Sequence, residues 1–337
     1  MVNVLVTGGA GFIGSNFVRY AINTHTDWLI TTLDKLTYAG RRENLHDLIE
    51  HPRHRFIQGD VTDPTVTTTL VHEAEIIVHF AAETHVDRSL HNAGEFIQTD
   101  VHGTFVLLDA ARETKQLRRF VQISTDEVYG SIPDGSSKET DELRPRNPYS
   151  ASKAGADRLA YSYWATYGLP IVITRASNNY GAYQYPEKII PLFITNALEN
   201  EPLPLYGDGE NVRDWLHVLD HCRGIDLLIE KGCEGEVYNI GGNNGIKNID
   251  LTRQVLSLLE RPETLISHVA DRPGHDRRYS LETSKLRSLG WSPQIDFQTG
   301  LQETVTWYKE NKWWWQPIKH DSAGFKAYYD KQYAKNP

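Results

Sequence analysis

The chain has 337 residues, 39% hydrophobic and 23% charged, which is the make-up of an ordinary folded protein with room for one large or two modest domains. Its formal net charge of −9 excludes a general affinity for nucleic acid or membrane surfaces, so an anionic ligand needs a local cluster of Arg and Lys. Cys222 and Cys233, its only cysteines, have neither metal-ligand nor redox spacing; they predict two free thiols in a cytoplasmic protein without a metal site.

The N-terminus enters Val2-Asn3-Val4-Leu5-Val6 without the segments of a secretory leader, and no apolar run approaches the ~20 residues of a membrane span. Val2 to Thr7 is predicted as a buried strand and Ser15 to Ile22 as a helix. Between them Gly8, Gly11 and Gly14 recur every three residues. Such glycines permit a tight turn, close approach of backbone to a pyrophosphate, and close helix–strand packing. The helix N-terminus adds amide donors and a positive dipole end. A second strand, Leu29 to Leu33, ends at Asp34, where a carboxylate binds a ribose 2′-hydroxyl and repels a 2′-phosphate. This predicts NAD as the cofactor. Lys35, Arg41 and Arg42 leave two readings, phosphate ligands or solvated surface charges.

The strand–helix rhythm continues. Arg55 to Val61 is a third strand, whose Asp60 and Val61 either contact an adenine or start a turn. Glu75 to Phe80 is a fourth, followed by Ala81-Ala82-Glu83-Thr84-His85, small residues that let backbone pass close to the cofactor, with Thr84 facing the substrate. His85 and Asp87 are assigned structural roles. Gly94 to Glu113 is predicted as one long helix with Phe96, Val101, Phe105, Leu108 and Ala111 on one face and Thr99 one turn in.

Phe120 to Ser124 is a fifth strand. Thr125, Asp126 and Glu127 follow at its C-terminal end, the end at which open α/β sheets bind ligands. A hydroxyl and two adjacent carboxyls there suit acid–base chemistry; without their context they would be a solvated turn. Ser131 to Pro148 is a loop. Tyr149 and Lys153 then open a helix running to about Tyr167 and share one face of it, where an ammonium favours the phenolate. Pro170 to Thr174 is another strand, leading to Asn178 and Asn179, which suit either ligand contacts or a turn.

Beyond this point the strict alternation ends. Glu187 to Ile194 opens a helix, and Pro202 to Tyr206 is extended. Arg213 to Val218 is a strand entering a helix from Asp220 to Glu230, and Val237 to Ile240 is a short strand. Asp271 to Tyr279 is a dense polar cluster; with Lys188 and Arg213 it either supplies the cations for a diphosphate or is a solvated loop. Leu301 to Lys309 is an amphipathic helix, and Trp313-Trp314-Trp315 is assigned to packing. The fold predicted is α/β: a Rossmann-like doubly wound parallel sheet over 1–177, together with about 212–242, and a smaller α/β substrate domain over 178–337.

Thr7-Gly8-Gly9-Ala10-Gly11-Phe12-Ile13-Gly14 with Tyr149-Ser150-Ala151-Ser152-Lys153 resembles the extended short-chain dehydrogenase/reductase family. Within it the match is to the sugar-nucleotide 4,6-dehydratases acting on dTDP-glucose. It is carried by Asp34 to Gly40, Ala81 to Ser89, Ser124 to Gly130, Ser177 to Gly181, Pro186 to Lys188, Arg213 to Trp215 and Asp271 to His275. Thr84 stands where that family often has Ser, and keeps the hydroxyl.

The resemblance implies that Tyr149, helped by Lys153 and Thr125, takes the proton of a sugar C4 hydroxyl while hydride passes to a tightly bound NAD. Glu127 then removes the C5 proton, Asp126 protonates the departing C6 hydroxyl, and hydride returns to C6. It implies that Thr84, Asn178, Lys188, Ile189, Pro204, Tyr206, Arg213, Asn248, Arg272 and His275 hold the substrate, and that Phe12, Ile13, Lys35, Thr37, Asp60, Thr99 and Asn179 hold NAD. It further implies a homodimer pairing helices like Gly94 to Glu113 and Tyr149 to Tyr167. The alternatives are a UDP-sugar 4-epimerase, the same dehydration on a UDP- or CDP-sugar, and a non-catalytic NAD sensor.

Overall fold

The computed structural model describes residues 1–333; the final residues, 334–337, assigned above to the substrate domain, lie outside the described residues. The chain begins β1 (Val2–Thr7), α1 (Phe12–Thr24), β2 (Trp28–Asp34), β3 (His54–Gln58), α2 (Pro64–Glu73) and β4 (Ile76–His79). Short helices α3 (Val86–His91) and α4 (Ala93–Phe96) pass through a π-helical turn at Ile97–His102 into α5 (Gly103–Arg112). Then come β5 (Arg119–Thr125), α6 (Pro148–Tyr167), β6 (Ile171–Ala176), β7 (Asn178–Tyr180), α7 (Ile189–Glu199), β8 (Leu203–Tyr206) and β9 (Val212–His217). The chain continues with α8 (Val218–Lys231), β10 (Val237–Ile240), β11 (Gly245–Lys247), α9 (Asn248–Leu258), β12 (Ile266–Val269) and α10 (Ser284–Ser288), and ends in α11 (Phe297–Glu310), α12 (Lys312–His320) and α13 (Ala323–Tyr333).

Seven strands form one parallel sheet in the order β10-β6-β5-β4-β1-β2-β3. β4, β6 and β10 are buried throughout, as strands covered by helices on both faces must be. The chain grows outward from β1 to β3, then crosses back to β4 and grows the other way. A crevice forms at that reversal, outside the carboxyl ends of β1 and β4. A three-stranded sheet, β11-β9-β7, and a two-stranded one, β12-β8, lie in the later part of the chain. A second core gathers there around Phe193, Trp215, Tyr308, Trp314 and Trp315, which puts two of the three consecutive tryptophans in packing.

Two sequence expectations are corrected. Residues 212–217 form β9 and pair with β7 and β11, so of the segment 212–242 only β10 joins the large sheet, with α8 packed on its core. Phe105 is 40% exposed instead of sharing the buried face of Phe96 and Leu108. Within α5 the buried stripe runs through Thr104, Leu107, Leu108 and Ala111, and Phe105 lies off that stripe.

Local chemistry sets α6 where the site needs it. Asn147 accepts from the Ser150 amide (2.8 Å), the Ser150 hydroxyl reaches back to the Asn147 amide (3.3 Å), and Pro148 takes the first helical position. This reciprocal cap fixes the first turn and with it Tyr149. Gly168, left-handed at φ 69°, ends the helix.

Candidate active site

A crevice of about 290 Å³ lies at the carboxyl ends of β1, β4, β5 and β6. Gly8, Gly11, Phe12, Ile13 and Gly14 line one end. Gly8 has φ 68°, and a Cβ on it would stand 2.6 Å from the Ala81 amide nitrogen, so only glycine lets the loops after β1 and β4 meet. A Cβ on Gly14 would stand 2.3 Å from the Gly8 carbonyl oxygen. Gly11 caps α1 without a side chain, so no side-chain acceptor occupies the first amides of that helix. These open donors with no carboxylate among them fit a pyrophosphate.

Asp34, at the end of β2, accepts from the Ala10 amide (2.9 Å) and the Leu36 amide (2.8 Å); burial raises its pKa and these bonds oppose the rise. The three nearby cations have other partners. Lys35 pairs with Asp60 (2.7 Å), Arg41 lies 3.4 Å from Glu43, and the Arg42 guanidinium sits over the Phe56 ring. Arg41 Nε is left without a hydrogen bond, yet the Asp34 carboxylate would repel a 2′-phosphate, so the wall fits an unphosphorylated ribose, hence NAD. Asp60 also accepts from the Thr62 amide (2.9 Å), so it starts a turn while lining the crevice. Thr37, Val61, Ala81, Ala82, Thr99 and Asn179 line the same wall.

The reactive groups gather at the end of β5. Thr125 Oγ1 accepts from the Glu127 amide (3.3 Å) and donates to Asp126 Oδ1 (3.2 Å), which pins the turn that carries both acids. Asp126 Oδ2 and Glu127 Oε2 are buried without a partner. Two orphaned carboxyl oxygens in one crevice mark a working site, because buried polar atoms are otherwise paired. Their environments differ. Burial, then the charges of Glu127 and Asp214, pushes the Asp126 carboxyl well above its usual range. Burial also raises Glu127, but Arg272, Lys188 and Arg213 oppose it. The two carboxyls thus stand in unequal surroundings, Asp126 the more strongly held toward its protonated form.

Tyr149 and Lys153 line the crevice beside them. The expected lowering of the tyrosine by Lys153 is absent. Lys153 Nζ donates to the Ile123 carbonyl (2.7 Å), and burial together with the charges of Glu127, Asp100 and Asp126 raises the Tyr149 phenol well above its ordinary value.

Of the substrate candidates, Thr84, Asn178 and Lys188 line the crevice; Lys188 Nζ reaches Thr84 Oγ1 (3.4 Å), and Asn178 Oδ1 is buried without a partner. Arg213, Arg272, His275, Tyr206 and Asn248 stand outside that wall. Arg213 bonds the Asp276 carbonyl (2.8 Å) beneath the Tyr279 ring, Arg272 bonds Asp87 (2.7 Å), and His275 bonds Asp271 (2.6 Å) and meets Tyr206 edge-on. Burial, then Arg272 and Arg213, lowers His275 to about 4, so its ring is neutral at pH 7. Arg272 Nε and Asn248 Oδ1 are buried and unpartnered. Ile189 and Pro204 are placed otherwise: Ile189 packs on the second core, and Pro204 is buried in β8 opposite Ser267 of β12. Neither lines the crevice.

Sequence reasoning missed the groups behind these residues. Asp87 holds Arg272, Glu187 holds Arg88 (2.8 Å), and Asp100 binds the Glu83 amide (2.7 Å) and the Ser152 hydroxyl (2.6 Å), with its carboxyl raised by burial to about 7. Asp87 and Arg272 are 185 positions apart, so no local spacing signals the pair. No group of side chains able to hold a metal ion occurs among the described residues.

The sequence profile of the family described as "GDP-mannose 4,6 dehydratase" matches residues 5–304. The dTDP-glucose 4,6-dehydratase of Streptomyces niveus is 50% identical over 94% of this chain and 96% of its own. The low-salt glycan biosynthesis protein Agl12 of Haloferax volcanii is 52% identical over 91% of this chain and 98% of its own. A dTDP-glucose 4,6-dehydratase from Streptomyces venezuelae, solved with NAD bound, superposes with a TM-score of 0.92 at 50% identity, covering 94% of this chain and 100% of that one.

Proposed function

The chain belongs to the GDP-mannose 4,6-dehydratase family, and on that premise we propose that it is a dTDP-glucose 4,6-dehydratase, a NAD-dependent hydro-lyase forming dTDP-4-keto-6-deoxyglucose and water. The observation that carries this reading is the pair Asp126 and Glu127, adjacent and buried, each with one unpartnered oxygen, and both raised but unequally, since three cations oppose the rise at Glu127. An epimerase eliminates nothing and has no use for both; a sensor has no use for either. The dTDP reading rests on the relatives, since the thymine methyl is worth only ~1–3 kcal/mol of discrimination.

NAD, when bound, accepts hydride from sugar C4 and later delivers it to C6. Tyr149, with the Thr125 hydroxyl, accepts the C4 hydroxyl proton as its phenolate, a form that burial and the surrounding acids oppose and that the positive charge of a bound nicotinamide would favour, and Lys153, tied to the Ile123 carbonyl, fixes the wall beside it. The C4 ketone acidifies the C5 hydrogen, which the Glu127 carboxylate removes. Asp126 gives its proton to the C6 hydroxyl, and water leaves. Glu127 then returns a proton to C5. Tyr149 ends protonated and Asp126 ionised, so one proton passes from the first to the second before the next turnover. Asn178, Lys188, Arg213, Asn248, Arg272 and His275 hold the nucleotide diphosphate, whose charge the three cations offset.

The test is to incubate the purified protein with dTDP-glucose and weigh the product. Loss of one water is expected. An unchanged mass with a galactose-configured product would replace the reading by epimerisation, and no change with dTDP-, UDP- or CDP-glucose would leave the sensor.

The protein works as a homodimer in the cytoplasm. Ile97, Phe105 and Tyr161 are 53%, 40% and 38% exposed along the π turn, α5 and α6, and a second copy would cover this apolar stripe. Sedimentation is expected to give a dimer, and Ile97→Glu with Phe105→Glu a monomer; a dimer surviving both changes places the contact elsewhere. The two free thiols, Cys222 buried and Cys233 exposed, suit a reducing compartment.

A further inference from the structure

We propose that the C-terminal helix α13 is a working part of the sugar-nucleotide site, setting through Tyr328 and Gln332 the positions of Arg272 and Tyr206. This rests on the reading of those residues as ligands of the nucleotide.

The junction is Asp87, 2% exposed. Its Oδ1 accepts from Arg272 Nη1 (2.7 Å), and its Oδ2 accepts from the hydroxyls of Tyr206 (2.9 Å) and Tyr328 (3.3 Å). Gln332 Nε2 donates to the Tyr206 hydroxyl (2.6 Å). Burial works to raise Asp87, but His85 and Arg272 hold it down at about 2, so the junction stays ionised. The Tyr328 hydroxyl stands equally 3.3 Å from His85 Nδ1, so it bridges ring and carboxylate, and its loss loosens the donors that remain on Asp87. Arg272 is thereby held with its Nε still unpartnered, and its charge favours the ionised form of Glu127.

Packing does not explain the polar ends of α13. Phe325 already anchors the helix, 3% exposed in the second core against Tyr185. The Tyr328 hydroxyl and the Gln332 amide go further, into a network that ends on substrate residues. The helix also lies beyond residues 5–304, the span of the family profile. Tyr328 and Gln332 are thus positioning residues contributed from outside that span.

Tyr328→Phe with Gln332→Leu removes both polar contacts at nearly constant volume. The probes are dTDP binding to the NAD-loaded protein and steady-state turnover of dTDP-glucose. Kd and KM are expected to rise about tenfold, with kcat within about twofold and NAD content and Tm unchanged. In a background lacking both targets, Arg272→Ala with Tyr206→Phe, the same pair is expected to add nothing further to Kd. Unchanged Kd and KM, or an equal rise in that doubly substituted background, would overturn the proposal. A fall in Tm moves the same comparisons and outcomes to Gln332→Ala alone, where a half-buried amide is removed from outside the core. Wild-type protein that neither binds dTDP nor turns over dTDP-glucose would instead overturn the functional reading, and this proposal with it.

Discussion

Glu127→Gln is expected to stop water loss, lowering product formation ~10²–10⁴-fold, the usual worth of a positioned general base. The amide keeps the shape of the side chain but cannot accept the C5 proton. Nothing else nearby replaces it: Asp126 is biased toward its protonated form, and the Tyr149 phenol is committed to the C4 oxygen. Oxidation at C4 precedes proton removal at C5, so it survives in part. Two measurements separate the steps, product mass and exchange of the C5 hydrogen in deuterated solvent. Both are expected to fail in the variant while the fold and NAD content persist. Product formation at the wild-type rate would remove Glu127 from its role as base.

Asp126→Asn is expected to cost a comparable ~10²–10⁴-fold, but for a different reason, and the difference is measurable. The asparagine cannot protonate the leaving hydroxyl. A substrate with fluorine in place of the C6 hydroxyl leaves as fluoride and needs no proton. That substrate is expected to restore much of the rate to Asp126→Asn and none to Glu127→Gln. The pH dependence follows with the same signs. Asp126 has a raised pKa and acts protonated, so its contribution is lost as pH rises through that value. Glu127 acts ionised, so its contribution is lost as pH falls through its own. With dTDP-glucose the profile is a bell; with the fluorinated substrate the alkaline limb assigned to Asp126 disappears. Failure of fluoride to rescue Asp126→Asn would assign the proton to another group.

The first half of the molecule was legible because its signals are local. Gly8, Gly11 and Gly14 answer to a turn and two close approaches, Asp34 to a strand end, and Tyr149 with Lys153 to one turn of helix. Thr125 to Glu127 could be placed at a strand end because Phe120, Val121 and Ile123 mark β5 as a short β-branched and aromatic stretch. What was not legible depends on pairs far apart in the chain. Lys153 was expected to act on Tyr149 by spacing, yet it is held by a carbonyl of β5. Asp87 was read as structural with no nameable partner, since Arg272 and Tyr328 reach it only in the fold. α2 went unread because Thr65, Thr67, Thr68 and Thr69 blur its apolar face, although Asp63 caps it and Pro64 opens it.

The position of β10 has a consequence for the birth of the protein. During synthesis β6 emerges as the outermost strand of the growing sheet, a strand that ends up buried along its whole length, with its hydrogen-bonding edge bare. Its neighbour β10 is translated only after β7, α7, β8, β9 and α8. Until then that edge is open to any other extended chain, including another nascent copy. A chain halted between β6 and β10 is therefore the form of this protein most prone to aggregate and most in need of a chaperone.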